Sequence, residues 1–359
     1  MRTVIAMPEQ SSRLDNYILL ADIASKQYEN ANEKLYLKQL EDTASIFPTL
    51  RKMFLAYETL DSVEAQPDSK GNVKLRLRKR NAEYLSMFRP NLFNGGLYFI
   101  RNRKYKDAYS CMDTYIDCIN HPLFESFDYA NTDSLRYQAS YWALLSARHE
   151  RDSAGIAKHQ AMAQQYEERA GQVLAMLYQN YIEHGDTAKA IGYLREGFDK
   201  HSEFPFFFPR LVDYYSSHNQ LDTVRVIVNT AIEREPGNMF YRLAKNTIQL
   251  SAGEYDDCIV LGDSLIHNND KLAEAYMNVG SAYFNKALER EKKGRESRQK
   301  RQEVNSLYEK ACPYIEKYRQ LRSKAMHKWA PLLYSIYLNL NRGDEFEEID
   351  KLMKSNKYN

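Results

Sequence analysis

Between Gly171 and Asn238 one pattern of 34 residues is written twice without a gap. Leu174, Leu177, Tyr178, Tyr181, Ala190, Leu194 and Gly197 are answered 34 positions later by Phe208, Leu211, Val212, Tyr215, Val224, Val228 and Ala231, and Pro236 follows the second set. Large residues at i, i+3, i+4 and i+7 put an apolar stripe on a first helix. The small, large, small spacing that follows suits a second helix packed closely against it. A period of this length belongs to chains that grow by stacking helix pairs, because one pair cannot bury its apolar face alone.

Composition agrees. A length of 359 residues would ordinarily suggest two or three domains, a prior that fails for repeats. Only 14 Gly and 10 Pro, with 27% charged and 43% hydrophobic residues, favour many amphipathic helices over disorder. The expectation is an all-α, right-handed α-α solenoid of about seven to eight helix pairs with insertions. The 50 basic and 48 acidic residues leave a formal charge of +2, which argues against a nucleic-acid partner. No run approaches the roughly 18 apolar residues that span a bilayer, so no transmembrane segment is expected. Met1–Pro8 falls short of the apolar core of a signal peptide.

Carrying the period outward gives one solenoid over 1–359. A first irregular repeat covers 13–66, with Pro48, Leu50, Phe54 and Tyr57 on its late second helix and an additional helix-like segment from Glu33 to Ile46. A turn and a basic helix follow over 67–88, with Val73, Leu77, Tyr84 and Phe88 on the apolar side. Residues 89–122 form a repeat whose Gly95 and Gly96 would let two helix backbones approach. An insertion covers 123–136. Contiguous repeats run over 137–170, 171–204, 205–238 and 239–272, the last with Tyr241, Ala244 and Ile248 turned inward because Lys245, Asn246 and Gln249 stand at apolar positions. A repeat with a charged insertion spans 273–325, and a terminal repeat and cap spans 326–359, its polar tail running from Lys354 to Asn359.

These residues resemble the tetratricopeptide (TPR) repeat superfamily over nearly the whole chain. The wording "NGGLYFIRNRKYKDAY", "PDSKGNVK" and "ACPYIEKYRQL" is similar to a group of Bacteroidota extracytoplasmic TPR proteins of unsettled function. That resemblance implies a periplasmic or cell-surface protein; the chain as given, if complete, implies a cytoplasmic one. It also implies protein binding along the concave face lined by the first helices. Mapped on this sequence, the face carries Phe93, Leu97, Ile100 and Arg101, then Tyr141, Leu145 and Arg148, then Gln179, Glu183 and Asp213, continuing to Ser217, Thr247, Ser281 and Phe284. Its first half is apolar and aromatic, and Tyr and Arg suit anchoring contacts. The alternative for Phe93, Leu97 and Tyr141 is packing against the neighbouring insertion. The paired Lys and Asn of the chaperone-tail clamp are missing from this face.

Other clusters carry weaker signals. Lys74, Arg76, Arg78, Lys79 and Arg80, and later Lys292, Lys293, Arg295, Arg298, Lys300 and Arg301, could meet phosphate or an anionic surface. Glu289, Glu291, Glu296 and Glu303 among the second set read as the solvated faces of a projecting hairpin. The cysteines Cys111, Cys118, Cys258 and Cys312 lack C-x-x-C spacing and read as buried thiols. His184 and His218 occupy equivalent turns, with no H-x-x-H or H-E-x-x-H for a metal. Arg342-Gly343-Asp344 reads as an inter-helix turn rather than an adhesion tripeptide. No Walker A, G-x-S-x-G or G-x-G-x-x-G occurs. The expected function is a non-catalytic scaffold for a peptide or helix of an unknown protein partner, without cofactor or metal. The alternative is a cell-envelope component that binds glycan or an anionic polymer through tyrosines and basic helices.

Overall fold

The structure, a computed structural model, describes residues 13–39, 43–68, 70–294 and 297–356. Met1–Pro8, the pair Arg295 and Glu296, and the last three residues of the polar tail lie outside them. Among the described residues the fold is all-α, without strands. The chain divides into two compact units, Met1–Phe204 and Pro205–Asn359, where the sequence reading has a single body. The division falls on the seam between two contiguous repeats.

In the first unit α1 (Leu14–Tyr36) pairs with α2 (Ile46–Glu64), and α3 (Arg78–Ser86) follows as a single helix. The pair α4 (Arg89–Arg101) and α5 (Tyr105–Asp117) comes next, then the one-turn α6 (Tyr129–Thr132). Two further pairs are α7 (Arg136–His149) with α8 (Ser153–Ala163), and α9 (Ala170–Glu183) with α10 (Thr187–Lys200). The second unit has four pairs: α11 (Phe207–Ser217) with α12 (Leu221–Arg234), α13 (Met239–Ser251) with α14 (Tyr255–Asn268), α15 (Ala273–Lys292) with α16 (Arg298–Leu321), and α17 (Met326–Asn339) with α18 (Gly343–Asn356). First helices also touch successive first helices, as in α4 on α7, α7 on α9 and α13 on α15. Leu50, Phe54, Leu92, Met112 and Phe124 centre the core of the first unit; Tyr308, Ile315, Trp329 and Leu333 centre that of the second.

The repeat is most regular in its turns. Arg151, Gly185, Asn219 and Gly253 follow one another at intervals of 34, and all are left-handed, with φ of 57, 79, 56 and 78°. The residue after each donates its N–H to the carbonyl five positions earlier: Asp152 to Ala147 at 2.8 Å, and Asp186 to Tyr181, Gln220 to Tyr215 and Glu254 to Gln249 at 2.9 Å. This closure satisfies a carbonyl that the helix end would leave unpaired. Lys38, Arg103 and Asn341 close three more hairpins in the same way.

Several local expectations are corrected. Among the described residues there is no separate helix over 33–46: Glu33–Tyr36 finish α1, Lys38 turns the chain, and Thr43–Ser45 form a single 3-10 turn before α2. The basic helix begins only at Arg78, and Asn72–Leu75 carry no helix, turn or bend. At Gly95 and Gly96 side chains, not a second backbone, take the space. A Cβ would lie 2.5 Å from the Phe47 ring at Gly95 and 2.5 Å from the end of Met112 at Gly96. The charged insertion in 273–325 is absorbed by lengthening α15 to 20 and α16 to 24 residues. Asn341, not Gly343, takes the left-handed turn conformation, and Gly343 opens α18.

In α13, Tyr241 and Ile248 are buried, and so is Asn246. Asn246 donates to the Cys258 carbonyl at 2.6 Å and accepts from Asn278 at 2.9 Å, so this polar residue in the core is satisfied. All four cysteines are free and buried. Burial pushes Cys111, Cys258 and Cys312 up to about 12, and Cys118 higher as well. The folded chain should therefore react negligibly with a thiol reagent at pH 8, and four thiols should appear on denaturation. One fast-reacting cysteine in the folded protein would contradict this packing.

Candidate functional site

The helices α7 and α9 lie side by side as successive first helices. Ala139, Ala143, Leu144 and Ala147 of α7 and Val173, Leu174 and Leu177 of α9 are buried. The stripe next to them stays open. Asp152 fixes the turn after α7 by accepting from the N–H groups of Ala154 and Gly155 at 3.1 and 3.0 Å, which starts α8.

Between the two helices lies an open cavity of about 740 Å³. Helix α7 contributes Leu145, Arg148 and His149, and α9 contributes Met176, Gln179, Asn180 and Glu183. Arg151 and His184 enter from the two turns. Leu145 and Met176 give it an apolar part. Arg148 and Arg151 set two guanidinium groups against the single carboxylate of Glu183, which pairs with Arg148. The His149 ring stacks on Tyr105 at 3.8 Å between centroids and 2° between planes. His184 Nδ1 lies 2.7 Å from the Asn180 carbonyl and its Nε2 2.9 Å from Ser153 Oγ, which holds that ring in place. His218 makes the same contact with Tyr214, also at 2.7 Å. The two histidines are thus fixed by their turns.

Four of the residues expected on the concave face, Leu145, Arg148, Gln179 and Glu183, line this cavity. The others are placed elsewhere. Phe93 is buried against the Tyr115 ring at 5.6 Å. Tyr141 is buried between Trp142 and Tyr166 and donates to Gln172 at 2.9 Å. Aromatic bulk at a first-helix position fills the junction between repeats here rather than facing solvent. Leu97 and Ile100 are half-buried against core clusters, and Arg101 is exposed at the end of α4. Asp213 is exposed on α11 of the second unit, where Phe284 is buried against Tyr308. His149, Arg151, Met176, Asn180 and His184 were missed; the position of Arg151, 34 residues before Gly185, marks the turn that delivers it.

Part of the basic character is neutralised locally. Arg78 makes a two-point ion pair with Asp61 at 2.8 and 2.9 Å. Arg290 pairs with Glu303 at 2.6 Å and Lys293 with Glu289 at 3.4 Å. The buried Lys300 donates to the Glu291 carbonyl at 2.6 Å. Among the described residues no group of three His, Cys, Asp or Glu side chains could hold a metal ion, and no helix is long and apolar enough to cross a membrane.

No protein-family description matches the sequence. No curated protein matches it either. Among solved structures, the TPR domain of P58(IPK) is similar over 100% of this chain and 97% of its own, at 10% identity and a TM-score of 0.28. A score that low carries no weight here. The fold rests on the helix pairs and their turns.

Proposed function

We propose that this chain is a non-catalytic protein-interaction scaffold whose first unit takes an extended peptide or a partner's helix between α7 and α9. The reading rests on one observation: the side chains of two successive first helices and their turns converge on an open cavity with an apolar part and an excess of guanidinium. Such a surface fits a segment that offers a carboxylate beside an apolar side chain, because arginine grips carboxylates with a fixed fork of donors. A glycan or anionic-polymer role draws less support, since Arg78 of the first basic cluster and Lys293 and Lys300 of the second are taken up by neighbouring carboxylates and carbonyls.

The test is selection of peptides from a random display library against the full chain, followed by binding measurements on variants. Enriched peptides should carry acidic residues, and Arg148→Glu should weaken them at least tenfold. Arg151→Gly should weaken them less while raising stability by about 0.5–1 kcal/mol, because glycine removes the cost of a left-handed arginine. Failure to enrich any peptide, or equal binding by Arg148→Glu, would sink the assignment.

A further inference from the structure

Outside the repeats, Asn72–Leu75 form a segment with no helix, turn or bend. The sequence there alternates strictly: Val73, Leu75 and Leu77 are apolar, while Lys74, Arg76 and Arg78 are basic. A period of two belongs to a strand, with alternate side chains on opposite sides. Burial does not follow that alternation: Val73 and Leu75 are exposed along with their basic neighbours, so their apolar side chains are left open. Leu77 is half-buried against the core, Leu75 lines a cavity, and Lys74 and Arg76 are exposed.

Among the described residues, none of the amide or carbonyl groups of Val73, Lys74, Leu75 and Arg76 has a hydrogen-bond partner. The ends, by contrast, are tied down. The Asp68 carboxylate accepts from the N–H groups of Lys70 and Asn72 at 2.9 Å each, and the Leu77 N–H donates to Glu64 at 3.0 Å. Arg78 is anchored on Asp61. Four residues of strand-like sequence, not paired into any sheet, are therefore held at both ends with main-chain donors and acceptors left open to an extended chain. Beside them lies an open cavity of about 650 Å³, with Leu75, Pro122, Leu123 and Phe127 as its apolar wall and Arg78, Lys79, Glu83 and Glu125 as its charged rim.

We propose that Val73–Arg76 is a docking edge for an extended peptide of a partner protein, one that alternates acidic and apolar residues. Its main chain would pair with the free N–H and C=O groups. Its apolar side chains would enter the cavity beside Leu75, and its carboxylates would meet Lys74 and Arg76. Charge complementarity decides the occupant: Arg76 has no ionic partner among the described residues, and Lys74 has only a 3.7 Å contact with Asp68. The site is independent of the groove between α7 and α9.

The probe is a fluorescent hexapeptide alternating glutamate and valine, titrated into the full chain at low salt. A lysine–valine peptide and vesicles containing phosphatidylserine serve as comparisons. The glutamate peptide should bind, lose affinity as salt rises, and slow amide exchange at residues 73–76. Leu75→Pro, which removes one donor at an exposed position, should reduce binding at least tenfold with an unchanged helical circular-dichroism spectrum. Lys74→Glu with Arg76→Glu should reverse the preference toward the lysine peptide. Equal binding of both peptides, full binding by Leu75→Pro, or binding of the vesicles alone would overturn the proposal.

Discussion

Arg89→Ala is expected to lower the unfolding free energy by about 3–5 kcal/mol, the usual cost of stranding a buried charge. Arg89 and Asp133 are both nearly buried and meet at 2.7 Å. The same arginine donates to the Tyr115 carbonyl at 3.0 Å. Its guanidinium carbon lies 3.7 and 3.9 Å from the ring centroids of Tyr115 and Tyr129. Asp133 in turn accepts from the Tyr115 hydroxyl and from the Leu135 N–H, both at 2.9 Å. One arginine thus ties α4, α5 and the interrupting segment 123–136 together, just ahead of α7. Truncation leaves the carboxylate with two neutral donors and no counter-charge. Adding Asp133→Asn should recover part of the loss, because it removes the stranded charge. Urea unfolding of the two single variants and the double variant measures this coupling. A loss under about 1 kcal/mol for Arg89→Ala would show that Arg89 is dispensable.

Glu58 should make stability fall as pH rises. Burial, with Asp117 nearby and only Arg51 in opposition, pushes its carboxyl from 4.5 to about 7. Its Oε1 is buried without a hydrogen-bond partner among the described residues. The sign follows from linkage: between 4.5 and about 7 the folded chain holds a proton that the unfolded chain has released, so stability is lost through this window. After discounting for partial exposure, the loss is on the order of 2 kcal/mol. Glu58→Gln should remove that slope and be the more stable protein above pH 7. Urea midpoints at pH 5 and pH 8 for both proteins decide it. An equal change in the two proteins would contradict a raised Glu58.

The helix pairs were legible because their apolar spacing recurs every 34 residues, and the turn residues Arg151, Gly185, Asn219 and Gly253, at that same interval, all take the left-handed conformation. The segment Val73–Leu77 was misread as helical because its basic residues adjoin a real helix at Arg78, although its alternation has a period of two. Phe93 and Tyr141 occupy the same first-helix face as Leu145 and Gln179, and periodicity alone does not say which positions a neighbouring segment covers. Arg89 and Asp133 are 44 residues apart, so their pairing depends on how an interruption folds back onto α4. Glu58 looks like any surface glutamate until the fold buries it and α5 brings Asp117 near. Position along a helix was readable; company across helices was not.

Hydrogen exchange of the full chain, with and without a saturating display-selected peptide, tests the proposed groove most directly. Slower exchange should concentrate in residues 145–151 and 176–184, with the peptide recovered intact. Protection confined to other segments, or a peptide cleaved or modified during incubation, would contradict a non-catalytic scaffold that binds between α7 and α9.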